Sequence, residues 1–250
     1  MSRELAKMID SAEGIVFFGG AGVSTESGIP DFRGEGGRFR AIREFGHEPE
    51  ELLSHGFFMR KPDAFYSYYK ACMLNVEAKP NDAHMALAQL ERLGKLRAVI
   101  TQNIDGLHQL AGSQTVIELH GSIYRNHCVR CGKPYDVWHI KSGEGVPKCV
   151  CGGTIKPDVT LYGEQLDHQS LRRAAEYIAG ADMLIVGGTS LAVYPAAGLI
   201  EYYSGEKLAL INRGKTPYDN RANIVIDGYI GEVMRGVMNY LNGKETEDDI

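Results

Sequence analysis

Short, nearly continuous apolar runs recur along the chain at Ile15–Phe18, Ala98–Ile100, Val116–Leu119, Met183–Val186, Leu208–Ile211 and Ile224–Ile226. They are rich in β-branched residues, and glycine, polar residues or both follow them. Hydrophobicity without alternation fits strands covered on both faces, as in a parallel sheet. Helical patterns lie between the runs. Residues 82–93 align Ala83, Leu87 and Leu90; residues 168–179 align Leu171, Ala174, Ala175 and Ile178; residues 229–241 align Ile230, Val233, Met234, Val237 and Leu241. At the N-terminus, Leu5, Met8, Ile9 and Ala12 sit at helical spacing among charges, which predicts an amphipathic helix and not a signal peptide. Strand and helix in alternation predict an α/β fold with a doubly wound parallel sheet.

Two stretches break this rhythm. Residues 34–78 carry aromatic and charged residues at helical spacing, among them Phe57, Phe58, Phe65, Tyr66, Tyr68 and Tyr69, but no strand. Residues 121–157 hold four cysteines, Pro134, Pro147, Pro157 and six glycines, with little periodicity. Both are read as insertions that together build a smaller domain, a helical module and a zinc-binding module. Residues 1–33, 79–120 and 158–242 then form the main domain, and residues 243–250 are an acidic tail expected to fray.

Composition narrows the function classes. The chain has 250 residues, 44% hydrophobic and 24% charged, enough to bury a full core. Acids outnumber Lys and Arg by 32 to 27, so direct nucleic-acid binding is not expected. No stretch approaches the roughly 18 apolar residues of a membrane span, so a cytoplasmic protein without membrane partners is expected. In a reducing compartment the five cysteines are not disulfide material. Glycine is in surplus, 30 of 250 against about 7% on average, and clusters where apolar runs end.

The first run opens into Gly19-Gly20-Ala21-Gly22-Val23-Ser24-Thr25-Glu26-Ser27-Gly28. Strand, glycine turn and helix start form the context of a dinucleotide-binding turn, whose amides reach a pyrophosphate. Gly20 and Gly22 match the first two glycines of that fingerprint, and Thr25 stands at the third. A plain tight turn is the alternative. A hydride-transfer enzyme should show an acid at a second strand end about 20 residues on. Here that interval, Pro30 to Arg38, reads as loop. The sequence thus suggests a dinucleotide held in another manner.

After Ala98–Ile100 come Thr101-Gln102-Asn103-Ile104-Asp105-Gly106-Leu107-His108. Ligands in open α/β sheets bind at the carboxyl ends of strands, which places Gln102, Asn103 and Asp105 toward a nucleotide. Taken singly, Asn103 or Asp105 reads as a helix N-cap. His120 ends another run before a glycine, where an imidazole can move protons near neutral pH. Gly187-Gly188-Thr189-Ser190 and Asn212-Arg213-Gly214 add further polar strand ends. Together they describe a crevice lined for an extended polar ligand.

Cys128-x-x-Cys131-Gly132 and Cys149-x-Cys151-Gly152, seventeen residues apart, form the pattern of a zinc ribbon. Glycine after each pair lets main-chain amides turn back toward the thiolates. Four thiolates leave no open position, so one structural zinc per chain is expected. Cys72 is left over as a core residue. The segment 121–157 carries six Lys or Arg against two acids, a net of +4. A solvated basic face is one reading and a docking surface for an acidic partner is the other.

These residues resemble the sirtuins, NAD-dependent protein-lysine deacetylases. The resemblance rests on Gly20-Ala21-Gly22-Val23-Ser24, Gly28-Ile29-Pro30-Asp31-Phe32-Arg33-Gly34, Thr101 through His108, His120-Gly121, the four cysteines and Gly188-Thr189-Ser190, in the family's order. Ser24 through Gly28 and Val193-Tyr194-Pro195-Ala196-Ala197 look most like the bacterial, deacetylating group. The resemblance implies a Rossmann-like domain, a small zinc-and-helix domain, and NAD consumed as co-substrate in the crevice between them. The acetyl oxygen would attack the nicotinamide-ribose C1′, and His120 would act as base toward a ribose hydroxyl, giving nicotinamide, O-acetyl-ADP-ribose and free lysine.

By the same resemblance, His120 and Asn103 are catalytic, and Phe32, Ile104 and Asp105 surround the nicotinamide. Ala21, Thr25, Arg33, Gln102, Thr189, Ser190, Asn212, Tyr229 and Ile230 hold the rest of NAD. The acetylated protein substrate would lie as a strand against Val159, Leu161, Tyr162, Gly163, Glu164 and Val193, paired through the main chain. Sirtuins that strip succinyl or malonyl groups carry Tyr-x-x-Arg in the helical insertion; here Tyr69 replaces the arginine, which implies a preference for acetyl and other neutral acyl groups. The rival readings are protein ADP-ribosylation at the same site and a zinc-ribbon interaction protein that senses NAD.

Overall fold

The computed structural model of the chain describes residues 1–31 and 34–243. Its strands are β1 (Ile15–Gly19), β2 (Leu96–Thr101), β3 (Val116–Glu118), β4 (Gly121–Cys128), β5 (Pro134–Tyr135), β6 (Ile155–Val159), β7 (Met183–Gly187), β8 (Lys207–Asn212) and β9 (Ile224–Asp227). Its helices are α1 (Ser2–Asp10), α2 (Glu35–Phe45), α3 (Pro49–Leu52), α4 (His55–Arg60), α5 (Pro62–Tyr68), α6 (Asp82–Arg92), α7 (Leu107–Ala111), α8 (Val137–Ser142), α9 (His168–Ala179) and α10 (Ile230–Leu241).

All six apolar runs of the sequence lie in one parallel sheet, ordered β3-β2-β1-β7-β8-β9. Successive side chains of a strand face opposite ways, so Ile15 and Phe17 join one core while Val16 and Phe18 join the other. The first core takes Leu5 and Ile9 from α1, Leu87 and Leu90 from α6, and Met234 and Val237 from α10. The second takes Ala174 and Ile178 from α9 and Leu199 and Ile200 from a 3₁₀ segment, Ala196–Tyr202. Covering both faces is what makes the strands uniformly apolar. Strand order reverses between β1 and β7, and such a switch point opens a crevice at the carboxyl ends of the strands.

The two interrupting stretches share a third core. Phe57, Phe58, Phe65, Tyr66, Tyr68 and Tyr69 of the helical stretch pack with Ile123, Val137, Ile140 and Ile155 of the cysteine-bearing one. Phe65 stacks on Tyr69 at 5.5 Å, and the Tyr66 hydroxyl donates to the Ile155 carbonyl. The second stretch is more regular than its sequence suggested: β4 pairs antiparallel with β5 and β6, and β6 runs on to Val159, across the expected boundary at 157. Its strands are short and partly covered, so they leave little periodicity to read. Among the described residues, no helix is long and apolar enough to cross a membrane. Of the expected acidic tail, residues 244–250 lie outside the described residues.

Candidate active site

The turn after β1 packs directly on the turn after β7. Gly20 N donates to the Gly187 carbonyl at 3.2 Å and Gly22 N to the Gly188 carbonyl at 2.8 Å. A Cβ at Gly22 would stand 2.7 Å from Gly188 Cα, so glycine is required there for backbone to meet backbone. The helix expected after this turn does not form. Two single 3₁₀ turns, Ala21–Val23 and Thr25–Ser27, take its place, and left-handed Gly28 (φ +80°) ends them. Pro30 disfavours helix at Ile29, and the Thr25 hydroxyl turns back to the Gly22 carbonyl at 3.0 Å.

The loop after β2 reaches this turn through side chains. Asn103 Nδ2 donates to Ser24 Oγ at 3.0 Å, and the Ser24 hydroxyl donates to Asp105 Oδ2 at 2.6 Å. Asp105 Oδ1 accepts the Leu107 amide at 2.9 Å, so Asp105 also bonds the first amide of α7, near the N-cap reading. Burial raises the Asp105 carboxyl, and the Ser24 and Leu107 bonds oppose that rise. Sequence reasoning gave Ser24 no role of its own, since its burial at 1% exposure shows only in the folded chain. Gln102 Nε2 donates to Thr189 Oγ1 at 3.1 Å and so ties the β2 loop to the β7 loop.

His120 sits between β3 and β4 with Nδ1 2.9 Å from the Gln102 carbonyl. A carbonyl only accepts, so Nδ1 carries the proton and the lone pair of the neutral ring lies on Nε2. That is the tautomer a general base requires.

A crevice of about 680 Å³ runs along these strand ends. Ala21, Thr25, Gln102, Asn103, Ile104, Asp105, His120, Thr189, Ser190, Asn212, Tyr229 and Ile230 line it, as do Val159, Leu161, Tyr162, Gly163, Glu164 and Val193. Phe32 and Arg33 lie outside the described residues. Arg213, which no role was given, lines the same wall, with its guanidinium 4.6 Å above the Tyr229 ring and bonded to the Tyr229 hydroxyl at 2.6 Å. The Glu164 carboxylate turns inward: it accepts the Leu161 amide at 2.8 Å and meets His55 at 2.8 Å and Lys156 at 3.1 Å. Burial is the largest single influence on the Glu164 carboxyl and raises it, but these contacts together outweigh burial and leave the carboxyl lowered. Tyr66 and Tyr69 are buried in the small core, and Leu53, Cys72, Met73 and Asn75 form the crevice wall on that side.

The four cysteine sulfurs lie within 4.8 Å of one another, with Cys128 and Cys151 at 3.5 Å and Cys131 and Cys149 at 3.6 Å. Tetrahedral zinc with bonds of about 2.3 Å sets its sulfurs roughly 3.8 Å apart, so the cluster fits the ion. Arg130 N donates to Cys128 Sγ at 3.4 Å, and the Cys151 amide helps pull the Cys149 thiol down to about 6. Gly132 and Gly152 turn left-handed after each pair, and a Cβ at Gly153 would press on Cys128 Sγ. Zinc with four thiolates carries two net negative charges, which halves the +4 counted for residues 121–157. Part of the basic excess is therefore local counter-charge to the metal site.

Comparison with known proteins agrees with this fold. The Sir2 family model matches residues 20–195. An NAD-dependent protein deacetylase of Clostridium tetani is 55% identical over 241 residues, 96% of this chain and 98% of the relative. The enzyme of the same name from Cutibacterium acnes is 48% identical over 235 residues, 94% of this chain and 96% of the relative. A solved structure of Sir2 with p53 peptide and NAD+ superposes with a TM-score of 0.87 at 40% identity, covering 97% of this chain and 99% of that one. The chain belongs to the Sir2 family.

Proposed function

We infer that the protein is an NAD-dependent protein-lysine deacetylase, which transfers the acetyl group of acetyl-lysine to ADP-ribose and releases nicotinamide and O-acetyl-ADP-ribose. The observation that carries this reading is the His120 imidazole, held by the Gln102 carbonyl with its basic nitrogen on Nε2, in one crevice with the hydrogen-bonded chain from half-buried Asn103 to buried Ser24 and Asp105.

Bound in that crevice, NAD supplies an ADP-ribosyl group whose leaving group is nicotinamide. On this reading Asp105 and Ile104 hold the carboxamide, with Phe32 beside it, and Asn103 and Gln102 line the reacting ribose. Ala21, Thr25, Arg33, Thr189, Ser190, Asn212, Tyr229 and Ile230 hold the remainder. The substrate peptide lies along Val159, Leu161, Tyr162, Gly163, Glu164 and Val193, recognised through its main chain. His120 Nε2 takes a ribose hydroxyl proton, so that the acetyl group moves to the 2′-oxygen. Residues 34–78 and 121–157 act as one small domain over the crevice, supported by their shared core. A four-cysteine metal cluster in place of disulfides agrees with a reducing, cytoplasmic setting. Direct attack of a protein acceptor on the ribose would instead give ADP-ribosylation.

The test is nicotinamide release by the zinc-loaded chain with and without an acetyl-lysine peptide. Release should require the acetyl group, and the peptide should lose the mass of acetyl and gain no ADP-ribose. His120→Ala should cut turnover by about 10²–10⁴-fold while NAD still binds. Peptide-independent release or a mass gain on the acceptor would refute the assignment.

A further inference from the structure

Two histidines that the reaction does not use lie buried side by side behind the crevice. His84, in the first turn of α6, is fully buried, and His108, the second residue of α7, is 1% exposed. Their ring centroids are 4.7 Å apart, with the planes tilted by 56°. Phe17 of β1 approaches His108 at 6.1 Å. Among the described residues, nothing hydrogen-bonds His84 Nε2 or either ring nitrogen of His108. Burial depresses both imidazoles, His84 to about 4 and His108 well below its ordinary value, so both are neutral at physiological pH. Apolar side chains would fill the same space without stranding ring nitrogens. Some use of the rings has to offset that cost.

Each ring supports a different wall of the crevice. The Asn81 amide donates to His84 Nδ1 at 3.3 Å, which fixes the Asn81 cap of α6. From that cap, Asn81 Nδ2 donates to the Val23 carbonyl at 2.8 Å and to Ser27 Oγ at 3.0 Å, holding both 3₁₀ turns. His108 rides on the helix whose first amide, Leu107 N, donates to Asp105. Asp105 in turn accepts from Ser24, which lies between Val23 and Ser27. The contacts form a closed circuit, and the two rings are one of the links between α6 and α7 within it.

We propose that His84 and His108 are positioning residues for the dinucleotide: their ring contact braces from behind the Asp105 loop and the Val23–Ser27 turn, so that these two adjoining walls of the binding crevice, bonded to each other through Ser24, are held in place before the ligand enters. This rests on the assignment of NAD to the crevice. Neither ring lines the crevice, so the effect on the reaction is indirect.

The test is a double-mutant cycle read in KM for NAD at saturating acetyl-peptide, with the NAD dissociation constant measured by calorimetry alongside. His84→Asn keeps an acceptor for the Asn81 amide and removes the ring contact; His108→Leu removes the other ring. Each should raise KM and Kd for NAD by about five- to twentyfold, with kcat and the peptide KM changed less than about twofold. The double variant should be no worse than the weaker-binding single, and His108→Phe, which keeps a ring there, should recover most of the loss. Should His108→Leu fail to fold, Asn81→Ser keeps a cap acceptor for the Ala83 amide, loses the Nδ2 bonds to Val23 and Ser27 together with the Oδ1 contact to His84, and carries the same expectation. Unchanged NAD affinity in His84→Asn and Asn81→Ser overturns the proposal, as do single effects that multiply or a peptide KM that rises in step. A wild-type chain that binds NAD but does not cleave it would sink the deacetylase reading and leave this cycle measurable by calorimetry; one that binds no NAD overturns both.

Discussion

The buried imidazole pair also makes a quantitative statement about stability in acid. His84 is held near 4 in the folded chain against 6.5 when exposed, chiefly by burial. A group depressed on folding contributes stability that is complete above its unfolded value and is lost as pH falls toward the folded one. At about 1.4 kcal/mol per pH unit, the gap for His84 corresponds to roughly 3 kcal/mol, of which about 2 kcal/mol is gone by pH 5. His108 is shifted in the same direction and adds to the loss. Urea unfolding of the zinc-loaded chain and of a His84→Asn/His108→Leu variant, each at pH 7.5 and pH 5, isolates the effect. Carboxylates and metal ligands titrate alike in both, so they cancel in the difference. The wild type should lose at least about 2 kcal/mol more than the variant between the two pH values, whatever their offset at pH 7.5. Parallel losses would mean that these rings are hydrated or already paired, and the argument from burial would fail.

Two further outcomes follow from the crevice and its floor. Acetyl-lysine peptide should turn over about tenfold or more faster than succinyl-lysine peptide, because no lysine lines the described crevice and its one described arginine, Arg213, is held against Tyr229; faster desuccinylation in a direct comparison would contradict it. Gly121→Ala should destabilise the chain by about 2 kcal/mol or more in thermal unfolding, since the backbone there has φ +79° and a Cβ would collide with the Asp158 carbonyl. An unchanged Tm would show that β4 and β6 can slide apart.

The sheet was legible because burial on both faces leaves an unbroken apolar signature, and each of the six runs carries it. The polar strand ends were legible for a related reason: Asn103, Asp105 and His120 interrupt apolar sequence where a solvated loop would show no contrast. What stayed hidden depends on partners distant in sequence. Ser24 looks like any small turn residue until Asn103 and Asp105 arrive from 79 and 81 positions away. His84 and His108, on separate helices, carry no sequence context that marks them until α6 and α7 meet. Tyr69, which the resemblance sets where an arginine would meet an acidic acyl group, is fully buried in the shared small core. The expected helix after Gly22 failed on local grounds, Gly28 and Pro30, that the sequence did contain.

The zinc site has no open coordination position, yet its removal should reach the chemistry through one hairpin. β4 begins at Gly121, directly after His120, and ends at the ligand Cys128; β6 pairs with it from Ile155 back to Val159, where the proposed peptide-binding segment starts. The His120 carbonyl accepts the Thr160 amide at 3.0 Å, so the same two strands hold the imidazole and the peptide wall in register. Seven residues of strand at about 3.3 Å each put the metal on the order of 20 Å from His120, too far for direct electrostatics in salt. Any effect on turnover must therefore be mechanical. Cys149→Ser should lose the metal, increase proteolytic nicking between residues 121 and 159, and lower kcat and peptide affinity together, while calorimetry shows NAD affinity falling less, since the β1 and β8 strand ends belong to the other lobe. If the variant loses zinc and retains full turnover, the hairpin does not need its metal clamp, and the positioning of His120 has to be credited to the large sheet alone.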